Sequence, residues 1–448
     1  MATMNTHPTV IKMTELAKQN SSDAPPSPID PSWLRELVLG AGADDCGFVS
    51  IDRPELDDQR DDLLQIMPTV KTVIPYVVRM NKEAIRTPLR SFSNHEFHTS
   101  GDDVNEIGRR IAQNLTAEGV RALNPPLAFP MEVSNFPDEK SWKISFKPLA
   151  EAAGLGKMGI HRNVIHPKFG NFILLGAVLI ASDVSEQTIP IDYNPCFECK
   201  LCVSACPVGA IGSDGWFDFN ACFTHNYREF LGGFSAWVDA VADSNSAQAY
   251  RQQFNAGETV SMWQSLAFGP NYKAAYCMSV CPAGEDVIGE YLSDKGGFVS
   301  NIVKPLQKKE ETIYVTKGSD AETFVEKRYP HKTIKHVKNG TSVTTIRGFV
   351  NNFTHFFQRG KSQGLNAVYH FQFTGDTPID ITVTIRDQTI TKEKGLVGKA
   401  DLTMVADGEA WVRFLNHKMT GAFAFVTRKI RIQGDPRLLV AFGNCFPY

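Results

Sequence analysis

Four closely spaced cysteines constrain the fold of this chain more than any other feature of its sequence. The spacing is C-x2-C-x2-C-x3-C-P, formed by Cys196, Cys199, Cys202, Cys206 and Pro207. Cysteines spaced in this way bind iron–sulfur clusters, because three thiolates converge on one cluster from a single loop while the fourth is directed to a second cluster. The proline helps to set the turn that carries the fourth thiolate.

A second group of cysteines completes the pattern. Cys222 is followed, after a long insertion, by Cys277 and Cys281, and Pro282 gives this group the same C-x3-C-P ending. The crossed arrangement predicts a [4Fe-4S] cluster on a first thiol set, which is Cys196, Cys199, Cys202 and Cys281. It predicts another cluster on a second thiol set, which is Cys206, Cys222 and Cys277.

The second thiol set is one ligand short. A full second run would have cysteine at position 274, where this chain has Ala274. The second cluster is therefore predicted to be [3Fe-4S], or [4Fe-4S] with water or a non-cysteine ligand. His225 and Tyr227, just beyond Cys222, are candidates for that ligand, and ordinary surface residues are the alternative interpretation.

Zinc is the alternative to iron and sulfide, since paired cysteines also suit a tetrahedral zinc ion. Zinc needs only four ligands, however, and leaves no role for seven thiolates in two C-x3-C-P arms. Cys46 and Cys445 stand apart from both thiol sets and are interpreted as buried structural thiols.

Composition and charge restrict the remaining possibilities. Of the 448 residues, 42% are hydrophobic and 21% are charged, which predicts a folded chain of two or three domains. The formal net charge of −3 offers no basic field to a phosphate backbone, so no nucleic acid partner is expected.

The most apolar run is about half as long as a membrane-spanning helix, so no stable membrane insertion is expected. The first thirty residues lack an apolar signal core, which favours the cytoplasm, where clustered cysteines are more often metal ligands than disulfides.

The order of the predicted elements divides the chain into segments. Their bounds are 1–30 for a disordered tail, 31–188 for an α/β domain, 189–295 for an iron–sulfur domain with an insertion at 223–276, 296–330 for a linker and 331–448 for an α+β domain. In the α/β domain, strands are predicted at 46–51, 72–78, 127–133 and 171–182. Helices are predicted at 31–43, from Asp103 and from Pro148.

A family resemblance rests on residues 147–156, KPLAEAAGLG, on the strand predicted at 171–182 and on the double cysteine motif that follows. This combination resembles the corrinoid iron–sulfur reductases, which include reductive dehalogenases and epoxyqueuosine reductases. The resemblance covers roughly residues 31–295. It implies a nitroreductase-like domain that binds base-off cobalamin, a ferredoxin-like domain that passes electrons to cobalt, and an external electron donor such as a ferredoxin, a flavodoxin or a reductase.

The resemblance also implies candidate site residues around a glycine-rich turn. Glycines there would let the backbone approach a bulky, phosphate-bearing cofactor, although an ordinary helix cap is the alternative for the bare motif. The candidate cofactor-binding residues are Gly154, Gly156, Gly159 and Asn163. Reductive chemistry needs a proton donor, and His161 and Arg162 are the candidate catalytic residues, with a solvated loop or a phosphate contact as the alternative. Lys143 and Lys147 are interpreted as facing solvent.

The end of the chain resembles a sterol carrier protein 2 (SCP2) domain, through residues 371–375, 379–385, 407–411 and 429–434. Such domains enclose an apolar tunnel for lipids, which implies a hydrophobic substrate or a structural lid. A plain core is the alternative for Phe371, Phe373 and Trp411. The segment 143–148 has no clear counterpart of the aspartate that donates a proton in epoxyqueuosine reductases.

Together these features predict a cobalamin-dependent iron–sulfur reductase that cleaves a hydrophobic small molecule reductively, in a dehalogenation-like reaction. Three alternatives stay open. They are a corrinoid- or lipid-binding iron–sulfur protein without turnover, a tRNA-modifying enzyme similar to epoxyqueuosine reductase, and an electron-transfer protein without cobalamin.

Overall fold

The computed structural model of the protein describes residues 4–19, 27–338 and 343–447. Strands and helices are mixed along the chain, which confirms the predicted mixed class. The helices of the N-terminal unit are α1 Pro8–Gln19, α2 Pro31–Gly40, α3 Arg60–Ile66, α4 Lys82–Arg86, α5 Arg90–Ala117 and α6 Phe146–Ala152. Its strands are β1 Asp45–Cys46, β2 Val49–Ser50, β3 Thr72–Arg79, β4 Ala122–Leu123, β5 Lys157–Met158, β6 Val164–Ile165 and β7 Ile173–Ile180.

The N-terminal unit is built on strand β3, which is buried along nearly its whole length. Its sheet has the order β1-β3-β7-β4, β2 also pairs with β3, and all of these pairs are antiparallel. Ile74 and Tyr76 pack on one face of β3 against α2 and α5. Val73 and Val77 pack on the other face against α3 and α6. Helices thus cover both faces, as the continuous apolar run of β3 predicts.

Helix α5 begins at Arg90, thirteen residues before the predicted start at Asp103. The predicted apolar positions of the helix are buried as expected. Its first half instead buries polar side chains: Asn94 accepts a hydrogen bond from the Tyr272 amide at 2.9 Å and donates one to the Tyr272 carbonyl at 3.0 Å. Helical periodicity of apolar residues cannot reveal such a segment, because polar contacts hold it against the insertion.

Three other predictions differ from the structure. The strand predicted at 127–133 is wrong, since this stretch is irregular and the short strand β4 lies before it. Helix α1 lies inside the predicted disordered tail, part of which falls outside the described residues. The predicted linker 296–330 is folded, and its Leu306 and Val325 are fully buried in a core that also contains Cys202 and Cys206.

The central unit consists mainly of short helices. They are α7 Leu201–Ala205, α8 Phe219–Asn226, α9 Gly232–Asp243, α10 Ala247–Gln253, α11 Ala256–Phe268, α12 Tyr276–Ser279, α13 Glu285–Ser293, α14 Lys295–Phe298, α15 Lys304–Lys308 and α16 Asp320–Arg328. A parallel pair of strands, β8 Thr312–Val315 and β9 Thr333–His336, closes the unit. Within the three described stretches of chain, no helix is both long and apolar enough to cross a membrane.

The C-terminal unit is an α+β fold, as predicted. Its elements are α17 Ile346–Asn352, β10 Ala367–Thr374, β11 Ile379–Arg386, β12 Thr389–Lys394, β13 Leu402–Asp407, α18 Gly408–Leu415, α19 Gly421–Val426, β14 Ile430–Gly434 and α20 Pro436–Asn444. The sheet order is β12-β11-β10-β13-β14, and only β10 and β13 are parallel among its adjacent pairs. Phe371, Phe373 and Trp411 are buried together in its core.

Polar contacts join the C-terminal unit to the other two. The fully buried Gln358 donates to an Asp218 carboxylate oxygen at 3.4 Å and accepts from the Asp320 amide at 2.8 Å, and both partners belong to the central unit. Asn351 donates to the Asp138 carbonyl of the N-terminal unit at 3.0 Å. The C-terminal unit therefore packs against both.

The pairing of β3 with β7 generates a stability prediction. Gly176 lies opposite Tyr76, and a Cβ at position 176 would come within 2.2 Å of the Tyr76 ring. We expect Gly176→Ala to lower the free energy of unfolding by about 1–3 kcal/mol, because overpacking displaces buried groups. Urea denaturation measures the change.

Gly289→Ala is the matched control, since Gly289 lies in α13 and a Cβ there meets no atom within 4 Å. Alanine is the better helix former by roughly 0.5–1 kcal/mol, so this variant should be as stable as the original chain or more so. Equal losses in the two variants would contradict the packing described for β3 and β7.

Candidate iron–sulfur and cofactor site

One cavity is lined by all four cysteines of the first thiol set, together with His161 and Ile165 of the N-terminal unit. The loop that carries the first three cysteines curls tightly, because Glu198 and Lys200 have positive φ angles of 55° and 57°. Non-glycine residues rarely adopt this left-handed conformation, and it occurs often at functional sites. The structure thus brings together the four thiols that sequence spacing assigns to one cluster.

The three cysteines of the second thiol set also lie near one another. Desolvation raises the pKa of Cys222 well above its usual value, and the neighbouring Cys206 and Cys277 raise it further. The pKa of Cys277 is raised to about 12 by desolvation first and by Cys206 next. Cys202 of the first set has its pKa raised to about 12, by desolvation and then by Cys277, so the two sets are adjacent. Cluster ligands must be thiolates, so metal binding has to release these protons.

Two residues of the N-terminal unit reach the second thiol set. The side-chain amide of Asn163 lies 4.0 Å from the Cys277 sulfur. Lys147 donates a hydrogen bond to the carbonyl oxygen of Arg162. The pKa of Lys147 is lowered, by desolvation first, while Cys277 and Cys222 act in the opposite direction. Lys147 is exposed to solvent, as the sequence was interpreted, and it also lies close enough to the second thiol set for Cys277 and Cys222 to act on its pKa.

The two candidates for the missing ligand differ in position. Tyr227 lies near the second thiol set, since Cys222 and Cys277 both raise its pKa after the larger effect of desolvation. His225 is buried, its Nδ1 accepts a hydrogen bond from the Tyr314 amide at 3.3 Å, and its ring stacks on Tyr314. The interpretation of His225 as a surface residue is wrong, because α8 turns it towards β8.

His161 borders the first thiol set. It is buried, its Nδ1 accepts a hydrogen bond from the Asn163 amide at 3.1 Å, and its Nε2 has no partner. Burial, followed by the charge of Lys147, lowers the pKa of His161 to about 4. Arg162 is exposed and has a φ of 64°. The catalytic roles of His161 and Arg162 stay predictions.

The glycines of the turn are explained by packing within the chain. A Cβ on Gly154 would lie 2.3 Å from the Ile189 carbonyl oxygen, and one on Gly156 would lie 2.4 Å from the Ile165 carbonyl oxygen. A Cβ on Gly159 would lie 2.7 Å from the Ile165 side chain. Neighbouring backbone thus requires glycine at 154 and 156, whereas at 159 a Cβ would meet only side chains. Contact with a cofactor at these positions stays a prediction.

The remaining two cysteines are buried apart from the thiol sets. Cys46 is buried in the core of the N-terminal unit, and Cys445 lies in the C-terminal core, where its sulfur contacts the Ala441 carbonyl at 3.3 Å. Both agree with their interpretation as buried thiols.

In the part of the chain that the structure describes, no group of three or more His, Cys, Asp or Glu residues is arranged to hold a single metal ion.

Comparisons with known proteins agree with this arrangement. A family model described as a 4Fe-4S binding domain matches residues 189–212, and one described as the SCP-2 sterol transfer family matches residues 353–447. The epoxyqueuosine reductase of Gloeobacter violaceus is 28% identical over 174 residues, which are 39% of this chain and 51% of the relative. That of Aliivibrio fischeri is 35% identical over 124 residues, which are 28% of this chain and 29% of the relative.

This chain is related to the iron–sulfur corrinoid reductases. It spans about half the length, or less, of the curated relatives named above. A crystal structure of epoxyqueuosine reductase with a tRNA stem loop matches with 19% identity and a TM-score of 0.32, covering 43% of this chain and 56% of that one. A catabolic reductive dehalogenase matches with 16% identity and a TM-score of 0.33, covering 40% and 25%.

The comparisons contradict one prediction made from the sequence, namely that the chain has no nucleic acid partner. The exclusion of a nucleic acid partner was wrong, because the curated relatives are epoxyqueuosine reductases and one solved relative is bound to a tRNA stem loop. The error has a physical cause. A net charge averages over the whole chain and does not report a local basic surface.

The two thiol sets generate a prediction about cluster content. We expect Cys199→Ser to remove the cluster of the first set and Cys222→Ser to remove that of the second, because each cluster loses a thiolate ligand to one of its irons. Each variant should then keep roughly half of the iron and inorganic sulfide. Anaerobic metal analysis and EPR spectroscopy measure both quantities.

Cys445→Ser is the matched control, since Cys445 is buried far from either set in sequence and lies in the C-terminal core. It should keep both EPR signals. Equal loss of both signals in Cys199→Ser would show that the crossed assignment is incorrect.

Proposed function

We propose that this chain is a cobalamin-dependent iron–sulfur reductase that cleaves a carbon–halogen or carbon–oxygen bond. The observation that carries the proposal is the meeting of two adjacent thiol sets with Lys147 and Asn163 of the N-terminal unit. Adjacent cysteine-bound clusters suit the transfer of single electrons at low potential. A reductive reaction also needs a proton, and we assign this role to Lys147, a cationic side chain on whose pKa Cys277 and Cys222 act.

Both thiol sets approach the surface, which suits a chain of electron transfer. Cys196 and Cys199 of the first set are partly exposed, as are Cys222 and Cys277 of the second. We assign the first set to the side that meets an external electron donor. The second set, beside Lys147, then faces the reaction.

The residues beside the second set fit a corrinoid by the chemistry of their donor groups. The Lys147 ammonium, the exposed Arg162 guanidinium and the Asn163 amide can donate hydrogen bonds to the phosphate and amide groups at a corrinoid's edge. Cobalamin, when bound, would supply a cobalt centre that accepts single electrons. Within this scheme, Arg162 and Asn163 bind and orient the cofactor, and Lys147 Nζ holds the proton.

Two substrates are favoured by different observations. An apolar halogenated molecule is favoured by the exposed aromatic side chains of the insertion, where Trp263 and Phe268 are 59% and 70% exposed and contact each other. The SCP2-like unit, which resembles a family of sterol carriers, also favours an apolar substrate. An epoxide in tRNA is favoured by the epoxyqueuosine reductases among the relatives. Dehalogenation consumes two electrons and one proton and releases halide, whereas reduction of an epoxide to an alkene consumes two electrons and two protons and releases water.

The decisive experiment uses protein purified without oxygen and reconstituted with iron, sulfide and cobalamin. With a low-potential reductant, it is offered a halogenated phenol in one assay and an epoxyqueuosine-containing tRNA stem loop in another. Halide release or loss of the epoxide, each dependent on cobalamin, supports the proposal and identifies the substrate class. Corrinoid binding without turnover of either favours the binding-protein alternative, and failure to bind corrinoid overturns the proposal.

Lys147 is predicted to act as proton donor. We expect Lys147→Met to lower turnover by about 10²-fold or more, the usual effect of losing general acid catalysis. Steady-state kinetics with the substrate identified above measures the loss.

Lys143→Met is the matched control, since Lys143 lies four residues earlier and pairs with Glu139 at 2.8 Å. Its turnover should match that of the original chain. An unchanged rate in Lys147→Met, with clusters and corrinoid in place, would remove Lys147 from the mechanism.

A further inference from the structure

The imidazole of His161 is one of the buried polar groups in the described chain whose hydrogen-bonding capacity is not used. Its Nε2 has no partner, although the side chain is almost fully buried. A buried donor without a partner costs roughly 1–3 kcal/mol, so such an atom calls for an explanation. His161 lines the cavity of the first thiol set, whose other lining residues include all four cysteines.

The hydrogen bond at the other ring nitrogen fixes which nitrogen carries the proton. The backbone amide of Asn163 donates to His161 Nδ1 at 3.1 Å, so Nδ1 is an acceptor. A neutral imidazole with an accepting Nδ1 carries its hydrogen on Nε2. His161 therefore holds one N–H donor that no atom of the described residues accepts.

The chain around His161 keeps the ring in place. A Cβ on Gly159 would lie 3.0 Å from His161 Cε1 and 3.3 Å from Nε2, so any larger residue at 159 would press on the ring. The same Asn163 that bonds to Nδ1 places its side-chain amide 4.0 Å from the Cys277 sulfur of the second thiol set. The ring is thus held by Gly159 on one side and by the backbone amide of Asn163 on the other.

We infer that His161 donates a hydrogen bond from Nε2 to a sulfur of the cluster on the first thiol set and thereby raises that cluster's reduction potential. The inference rests on the proposed function, which assigns a cluster to this cavity. A hydrogen bond to sulfur is stronger when the cluster carries the extra electron, so it stabilises the reduced state. His161 is accordingly a positioning and tuning residue, and not the proton donor to substrate.

This hydrogen bond changes the reduction potential of the first cluster and leaves that of the second unchanged. The described structure shows an unpaired imidazole N–H at the first set, whereas at the second set the Ala210 amide donates to the Cys206 sulfur at 3.2 Å and the Asn163 side chain lies 4.0 Å from the Cys277 sulfur. The His161 donor makes the first cluster easier to reduce than it would be without this residue, which helps it to accept electrons from an external donor.

The test measures the reduction potentials of both clusters by EPR-monitored titration of the full-length, reconstituted protein. We compare the original chain with His161→Leu, which has no donor, and His161→Gln, which keeps an N–H. We expect His161→Leu to shift the equilibrium constant for reduction of the first cluster about tenfold towards the oxidised state, which is about 59 mV for one electron. His161→Gln should shift it less, and the second cluster should keep its potential in both variants.

A second measurement detects the hydrogen bond itself. Pulsed EPR before and after transfer to D2O should reveal an exchangeable proton coupled to the first cluster in the original chain and in His161→Gln, but not in His161→Leu. Ile160→Leu, which alters an apolar residue of the same cavity, should keep both the potential and the coupling. If His161→Leu does not fold, Gly159→Ala, which crowds the ring, should lower the potential of the first cluster in its place.

The outcomes separate this inference from the proposed function. An intact first cluster whose potential and exchangeable coupling are the same with and without His161 overturns the inference alone. An original chain that binds no cluster at the first thiol set overturns the proposed function and the inference with it.

Discussion

The convergence of seven thiols from distant parts of the central unit is the constraint on which the rest of the structure depends. In this protein the thiols are largely desolvated, and each set raises its own pKa values through mutual repulsion. Such thiols stay protonated and neutral until metal binding replaces their protons. The surrounding core, which continues through Leu306 and Val325, has to supply the stability that holds the thiols together.

The N-terminal unit contributes to this centre through one short stretch of chain. Lys147, His161 and Asn163 are held there by the sheet and by a turn whose glycines admit neighbouring backbone at very short range. His161 borders the first thiol set and Asn163 the second, so a single turn contacts both. The geometry gives each set a different polar environment although the motifs that supply them are alike.

Much of this arrangement was predictable, because cysteine spacing reports directly on ligand geometry. The first thiol set meets in one cavity as the crossed scheme requires, and strands with apolar runs, such as β3 and β7, were found close to their predicted bounds. Elements held by polar contacts were missed, as the first half of α5 shows with Asn94 and Tyr272. Burial of a single histidine such as His225 depends on which way α8 faces, and no local pattern encodes that.

The separation of the first thiol set along the chain has a consequence for biosynthesis. Three of its cysteines emerge from the ribosome within seven residues of one another, between Cys196 and Cys202, but the fourth follows at Cys281, after the whole insertion. The segment that contains His161 is translated before any of these four cysteines. The first thiol set can therefore be complete only after the whole insertion has been translated.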